Sequence, residues 1–141
     1  MKNIQLTCAH ALIKYLIAQK TLIDGKKVPL FPGVFGIFGH GNVACLGQAL
    51  QENQKDLPTW RGHHEQNMAL TGIAYSRAKR RKQIFIATSS VGPGSTNMIT
   101  AAAVAMSNRI PILFLPGDTF ANRMPDPVPV SYTHLRAHET A

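Results

Sequence analysis

Apolar residues recur at helical spacing near the start of the chain. Leu6, Ala9, Leu12, Ile13, Leu16 and Ile17 follow a cap candidate at Thr7 and predict a helix over about 7–19. Gly25 and Pro29 then mark a turn region. The apolar run 34–38 predicts a short buried strand that stops at Gly39-His40-Gly41-Asn42, where Asn42 can cap a helix over 43–50. Beyond Pro58, a strand at 59–61 leads into a helix over 65–79, whose Met68, Ala69, Gly72, Ile73 and Tyr75 suit close packing against a sheet. A strand over 83–88, a glycine loop over 89–95, an Ala-rich helix over 96–106 and an apolar strand over 110–115 complete the pattern.

Strand, glycine loop and helix thus alternate, which predicts an α/β fold: a mostly parallel sheet with helices on both faces. Such sheets bind ligands beyond the carboxyl ends of their strands, and both glycine loops fall there. At 141 residues the chain holds one domain and has no room for a second catalytic one. Its 45% hydrophobic and 16% charged residues describe an ordinary globule. The longest apolar run, Ile110 to Leu115, contains Pro111 and is far too short to cross a bilayer, and the start lacks the apolar core of a leader. Together these features predict no membrane partner and a cytoplasmic location.

Cys8 and Cys45 are far apart, without metal-ligand spacing, and are expected to be buried thiols. The formal charge of +8 raises a nucleic-acid or acidic partner, and a non-catalytic interaction module is one reading of it. Its densest cluster, Arg77, Lys79, Arg80, Arg81 and Lys82, instead falls where cations favour a helix C-terminus and face water. No aromatic residues interleave with it as a nucleic-acid surface would require, so no nucleic-acid partner is expected. From Pro125 the pattern breaks down. The string from Val130 to Thr140 resembles the translation of a sequencing adapter read through from a truncated gene. The domain is therefore expected over 1–128, with 129–141 as a non-native tail, and Tyr132, His134, His138 and Glu139 are not taken as a metal or catalytic cluster.

The chemistry concentrates at two places. His63-His64-Glu65-Gln66 opens a helix, and Ser89 to Asn97 forms a strand-to-helix loop in which Gly92 and Gly94 let a flat ligand approach the backbone. Taken singly, an acid in a first helical turn and a glycine turn are both commonplace. In this order, after the first glycine loop, they resemble the pyrimidine-binding domain of thiamine-diphosphate enzymes of the acetolactate synthase and pyruvate decarboxylase type. The resemblance implies that Glu65 hydrogen-bonds a ring nitrogen of the aminopyrimidine, so that its exocyclic amine can take the thiazolium C2 proton. It also implies that Gly92, Pro93, Gly94 and Asn97 line the pyrimidine pocket.

A narrower resemblance rests on the segments 36–42, 89–94, Asn108-Arg109-Ile110-Pro111 and Pro116-Gly117-Asp118, and spans roughly residues 5 to 128. It points to the trihydroxycyclohexane-dione hydrolases of inositol breakdown, which cleave a carbon–carbon bond of a cyclic dione. The implied substrate is that small dione. His40 falls where related enzymes turn a polar side chain to the substrate, for proton transfer or binding; a histidine bonded to loop backbone is the rival reading. His64 departs from the asparagine common at that place in the hydrolase group. The adjacent His63 and His64 diverge and have no evident third partner, so no metal ligand is assigned.

The resemblance also implies Mg²⁺ and a diphosphate held by another domain, marked by Gly-Asp-Gly. Gly117-Asp118-Thr119 lacks the third glycine, so this chain is expected to be inactive alone. It further implies a homo-oligomer, at least a dimer, because the carboxylate of one subunit meets the cofactor held by another. Another thiamine-diphosphate lyase or synthase is the nearest alternative. The more distant one is a nicotinamide-dinucleotide domain, since Gly39 to Ala44 satisfies G-x-G-x-x-A after a strand. A Glu65 beside the Gly92 loop favours thiamine diphosphate, and a Glu65 ending a strand beside Gly41 favours the dinucleotide.

Overall fold

The structure, a computed structural model, describes residues 4–118; the expected tail over 129–141 lies outside them. Thr7 caps the first helix, α1 (Cys8–Ala18), its Oγ1 accepting the His10 backbone N–H at 3.2 Å, and Ile13 and Leu16 are buried on its inner face. Where only a turn was expected, an antiparallel hairpin follows, β1 (Lys20–Ile23) paired with β2 (Lys26–Pro29). Asp24 and Gly25 at its tip have φ of 50° and 75°, the two left-handed residues that a two-residue hairpin turn requires.

β3 (Val34–Gly36) is shorter than its apolar run, because the chain turns helical soon after it. α2 (Gly39–Asn42), a π-helical turn (Val43–Gly47) and α3 (Gln48–Glu52) succeed one another without a break. Asn42 therefore lies inside this helical stretch and does not cap it; its side-chain amide donates to the Ser89 carbonyl at 3.1 Å. β4 (Thr59–Arg61) and α4 (Glu65–Ala78) fall where the pattern placed them.

β5 (Ile86–Ser89) begins later than expected because the residues before it are bonded elsewhere: the Gln83 side chain donates to the Pro29 carbonyl, and the Ile84 N–H to that of Leu30, each at 2.9 Å. A single turn, α5 (Pro93–Thr96), precedes α6 (Ile99–Asn108). The last strand, β6 (Leu113–Pro116), starts after Pro111, which has no N–H to give to a ladder.

β4, β3, β5 and β6 form one sheet in that order, and every neighbouring pair is parallel. Successive residues of β5 point to opposite faces. Ile86 joins Ile13, Leu16, Leu46, Ala49, Leu50 and Val34 in one core, beneath α1 and α3. Ala87 joins Ala69, Ile73, Met98, Ala101 and Ala105 in the other, beneath α4 and α6. Each large aliphatic side chain so buried contributes on the order of 1.5–3 kcal/mol. The fold is thus the α/β sheet, covered on both faces, that the alternation implied. Gly72 is where α4 comes closest: a Cβ there would stand 3.1 Å from both Ile112 Cδ1 and Phe85 Cβ.

Two expectations about the surface divide. Cys8 and Cys45 are exposed, not buried; one opens α1 and the other lies on the outward side of the π turn. The basic cluster does face water. Arg81 also reaches across to the end of α6, its Nε donating to the Arg109 carbonyl at 2.9 Å, so this cation stabilises a helix C-terminus other than its own.

Candidate active site

The order β4-β3-β5-β6 makes the chain reverse direction between β3 and β5, since the connection from β3 leads outward to β4 and α4 returns to the other side. Loops leaving such a switch point part from each other and open a crevice at the carboxyl edge of the sheet. Here the two loops carry the two glycine segments. Besides the bond from Asn42 to the Ser89 carbonyl, they meet where Gly39, at φ +66°, lies so near Ser90 that any Cβ would collide with the serine side chain. Only glycine meets both requirements.

Glu65 is the first residue of α4, directly after β4, and is partly buried. Its Oε2 accepts a hydrogen bond from Asn97 Nδ2 at 2.8 Å. That is the length of a charge-assisted bond, which fixes one carboxylate oxygen and leaves the other to choose its partner. Oε1 lies over Gly94, 3.2 Å from where a Cβ would stand. Among the described residues Oε1 has no hydrogen-bond donor.

The loop after β5 holds this geometry. Gly92 has φ 63° and ψ −119°, a conformation closed to side chains, and Pro93 starts α5 at a position where its missing N–H costs nothing. Gly94 is buried, and a Cβ would overlap Ser90 Oγ. Ser95 Oγ lies 2.8 Å from the Ser90 carbonyl and 2.7 Å from that of Gly117, while the Gly117 N–H donates to Ser89 O at 2.9 Å. The loop after β5 is thereby bonded to the end of β6.

Glu65, Gly94 and Asn97 are therefore gathered at one edge of the crevice, with Gly92 and Pro93 shaping the turn that presents them. His40 stands apart on the short helix α2, exposed, and its ring forms no hydrogen bond among the described residues, so the backbone-bonded reading finds no support there. A Cβ at Gly41 would meet nothing within 4 Å. Glu65 begins a helix and touches the second loop, which is the arrangement that favours the thiamine-diphosphate reading over the dinucleotide one.

Two participants were not read as such from the sequence. Ser90 packs between Gly39 and Gly94 and joins the two loops. His64 Nε2 comes within 3.4 Å of Asn97 Nδ2. The sequence signal for Ser90 is its place inside the second glycine loop; for His64 it is a histidine at a helix cap, where Ser, Thr, Asp or Asn would be usual. Beside them, Arg61, Gly62, His63, His64, Asn67 and Met68 line much of a cavity of about 260 Å³. A second cavity of about 350 Å³ runs along Gly36, Ile37, Phe38, Gly39 and Val43 to Arg61. No helix among the described residues is long and apolar enough to cross a membrane.

A family model described as the thiamine pyrophosphate enzyme N-terminal TPP binding domain matches residues 32–134. The chain is 53% identical over 128 residues to a 3D-(3,5/4)-trihydroxycyclohexane-1,2-dione hydrolase of Clostridium tetani, covering 91% of this chain and 20% of that protein. It is 53% identical over 136 residues to the protein of the same name from Geobacillus thermodenitrificans, with 95% and 21% covered. For that of Listeria innocua the figures are 52% over 127 residues, with 90% and 20% covered. The chain thus spans about a fifth of the length of these relatives.

Proposed function

We infer the function from a membership: the chain belongs to the thiamine pyrophosphate enzymes, as their N-terminal TPP binding domain. On that premise it is the cofactor-activating portion of a hydrolase that cleaves a carbon–carbon bond of 3D-trihydroxycyclohexane-1,2-dione in inositol breakdown. The identity of about half of all residues to hydrolases of that name supports this substrate over that of another lyase or synthase of the family. The observation that carries the mechanism is the divided carboxylate of Glu65, with Oε2 committed to Asn97 and Oε1 open above Gly94.

The residues fit a flat heteroaromatic ring. No side chain stands at Gly94 beside Glu65 Oε1, Gly92 supplies the turn, and Pro93 and Asn97 would complete the wall. Glu65 would hold a proton between Oε1 and a ring nitrogen; partial burial strengthens that bond relative to water. Asn97 keeps the carboxylate turned toward the crevice. When bound, thiamine diphosphate supplies a carbon nucleophile able to attack a carbonyl group. His40, exposed on α2 at the facing glycine segment, would bind or protonate the dione. Mg²⁺ and the diphosphate would be held by parts of the protein beyond this chain, which is inactive alone, and the whole enzyme is a cytoplasmic homo-oligomer of at least two subunits.

Full-length protein tests this directly. Wild type is expected to cleave the dione only with thiamine diphosphate. Glu65→Gln is expected to bind the cofactor yet lose roughly 10²-fold or more in kcat, the usual scale for a positioned proton-transfer group. Undiminished activity in the variant would overturn the role of Glu65. A wild type that binds the cofactor and leaves the dione intact would show that the substrate is wrong.

A further inference from the structure

His64 occupies the N-cap of α4 but does not cap it: no side-chain hydrogen bond goes from His64 to the first turn. Histidine there forgoes the stabilisation of about 1 kcal/mol that a serine or aspartate would bring. Departures from local preference of this kind gather at functional sites. The ring turns instead to Asn97, bringing its Nε2 within 3.4 Å of Nδ2, the same nitrogen that donates to Glu65 Oε2 at 2.8 Å. A primary amide nitrogen has two hydrogens. One goes to the carboxylate and the second points to His64, which can accept it only while Nε2 carries no proton.

We propose that His64 is a positioning residue for the Glu65–Asn97 pair, its unprotonated Nε2 fixing the amide of Asn97 so that the nitrogen, and not the oxygen, faces the carboxylate. This rests on the role given to Glu65 above. Once protonated, Nε2 becomes a donor opposite a donor. The amide then rotates to offer Oδ1 to the imidazolium, which sets two oxygens, Oδ1 and Oε2, against each other and releases Glu65. Arg61 and His63 share the cavity with His64, and Glu65 follows it in the chain; α5 brings no titratable group. The Arg61 guanidinium has no acceptor, and among the described residues it is His64, not His63, whose ring nitrogen comes within hydrogen-bond distance of Asn97 Nδ2.

The test uses full-length protein and thiamine diphosphate with Mg²⁺. Kd is measured calorimetrically from pH 5.5 to 8 for wild type, His64→Gln and His64→Ala. Each result is read as a ratio at one pH, which cancels the titration of the cofactor itself. Glutamine can accept the amide hydrogen and does not titrate. At pH 8, His64→Gln is expected within about threefold of wild type and His64→Ala roughly threefold to tenfold weaker, the scale of one hydrogen bond. Toward the acid end of the range, where a protonated Nε2 can no longer accept the amide hydrogen, wild type is expected to weaken several-fold relative to His64→Gln. A wild-type to His64→Gln ratio that stays constant across the range would overturn the proposal. If Glu65→Gln bound as tightly as wild type with full activity, the role of Glu65 would fail first and the His64 proposal with it; a constant ratio alongside an impaired Glu65→Gln would sink only His64.

Discussion

At the scale of single residues, the site depends on a position that holds no side chain. Gly94 lies between Ser90 Oγ and Glu65 Oε1, and a methyl group there would collide with the first and stand 3.2 Å from the second. Gly94→Ala is therefore expected to displace one of them. Overpacking of this kind costs about 1–3 kcal/mol. Urea unfolding should show that loss in the full-length protein, together with at least tenfold weaker cofactor binding, and unchanged binding would mean that the wall of the pocket lies elsewhere. The glycine turn at Gly92 and Gly94 and the acid that opens α4 were legible in the sequence because loop glycines and a first-turn acid are local patterns. The resemblance implied a pocket lined by Asn97 near Glu65, but the hydrogen bond between the two, 32 residues apart, was not read from the sequence. Nor were Ser90 and His64, because their roles come from contacts between loops that no spacing rule encodes.

At the scale of elements, periodicity located α1, β4 and α4 closely and misplaced the boundaries that tertiary bonds decide. The Asp24-Gly25 pair is a strong hairpin signal that the turn reading left unused, and the flanking four-residue strands are too short for alternation to assert itself. β5 starts late because of bonds to Pro29 and Leu30, which lie more than 50 residues away. A second long-range tie joins α1 to α3. Thr7 Oγ1 lies 2.6 Å from His10 Nδ1, and His10 Nε2 bonds Glu52 Oε2 at 2.8 Å. Gln48 donates to the other Glu52 oxygen at 3.0 Å. Hydrogen bonds from Gln48 first and His10 second hold the Glu52 carboxyl below its ordinary 4.5. A depressed carboxylate pKa contributes stability that is present above the unfolded-state value and lost as pH falls through the folded one. The melting temperature of wild type is therefore expected to exceed that of Glu52→Gln near pH 6 and to converge with it in acid, as pH falls through the lowered Glu52 value. A gap that persisted undiminished to pH 3 would show that the advantage does not come from the ionised Glu52 carboxylate.

At the scale of the whole molecule, the chain has two covered sheet faces but uncovered helix surfaces. On α6, Ile99, Ala103 and Met106 recur at i, i+4 and i+7 and form an outward apolar stripe, with Ile99 64% and Met106 83% exposed. Scattered apolar residues on a surface need no explanation, but a helical stripe on a chain that spans a fifth of its relatives' length fits a face made to be covered by the rest of an oligomer. That is the proposed assembly, in which Glu65 meets a cofactor held by another subunit. The isolated chain is accordingly expected to associate in a concentration-dependent way on analytical ultracentrifugation. Ile99→Glu combined with Met106→Glu should shift it toward monomer while leaving its stability within about 0.5 kcal/mol per substitution, since both positions are exposed. In the full-length protein the same pair should weaken the dimer and lower cofactor occupancy together, because the two halves of the site would separate. A wild-type fragment that stays monomeric at high concentration, or a full-length double variant that loses neither assembly nor cofactor, would remove α6 from the interface and leave the Glu65 crevice to be completed from another side.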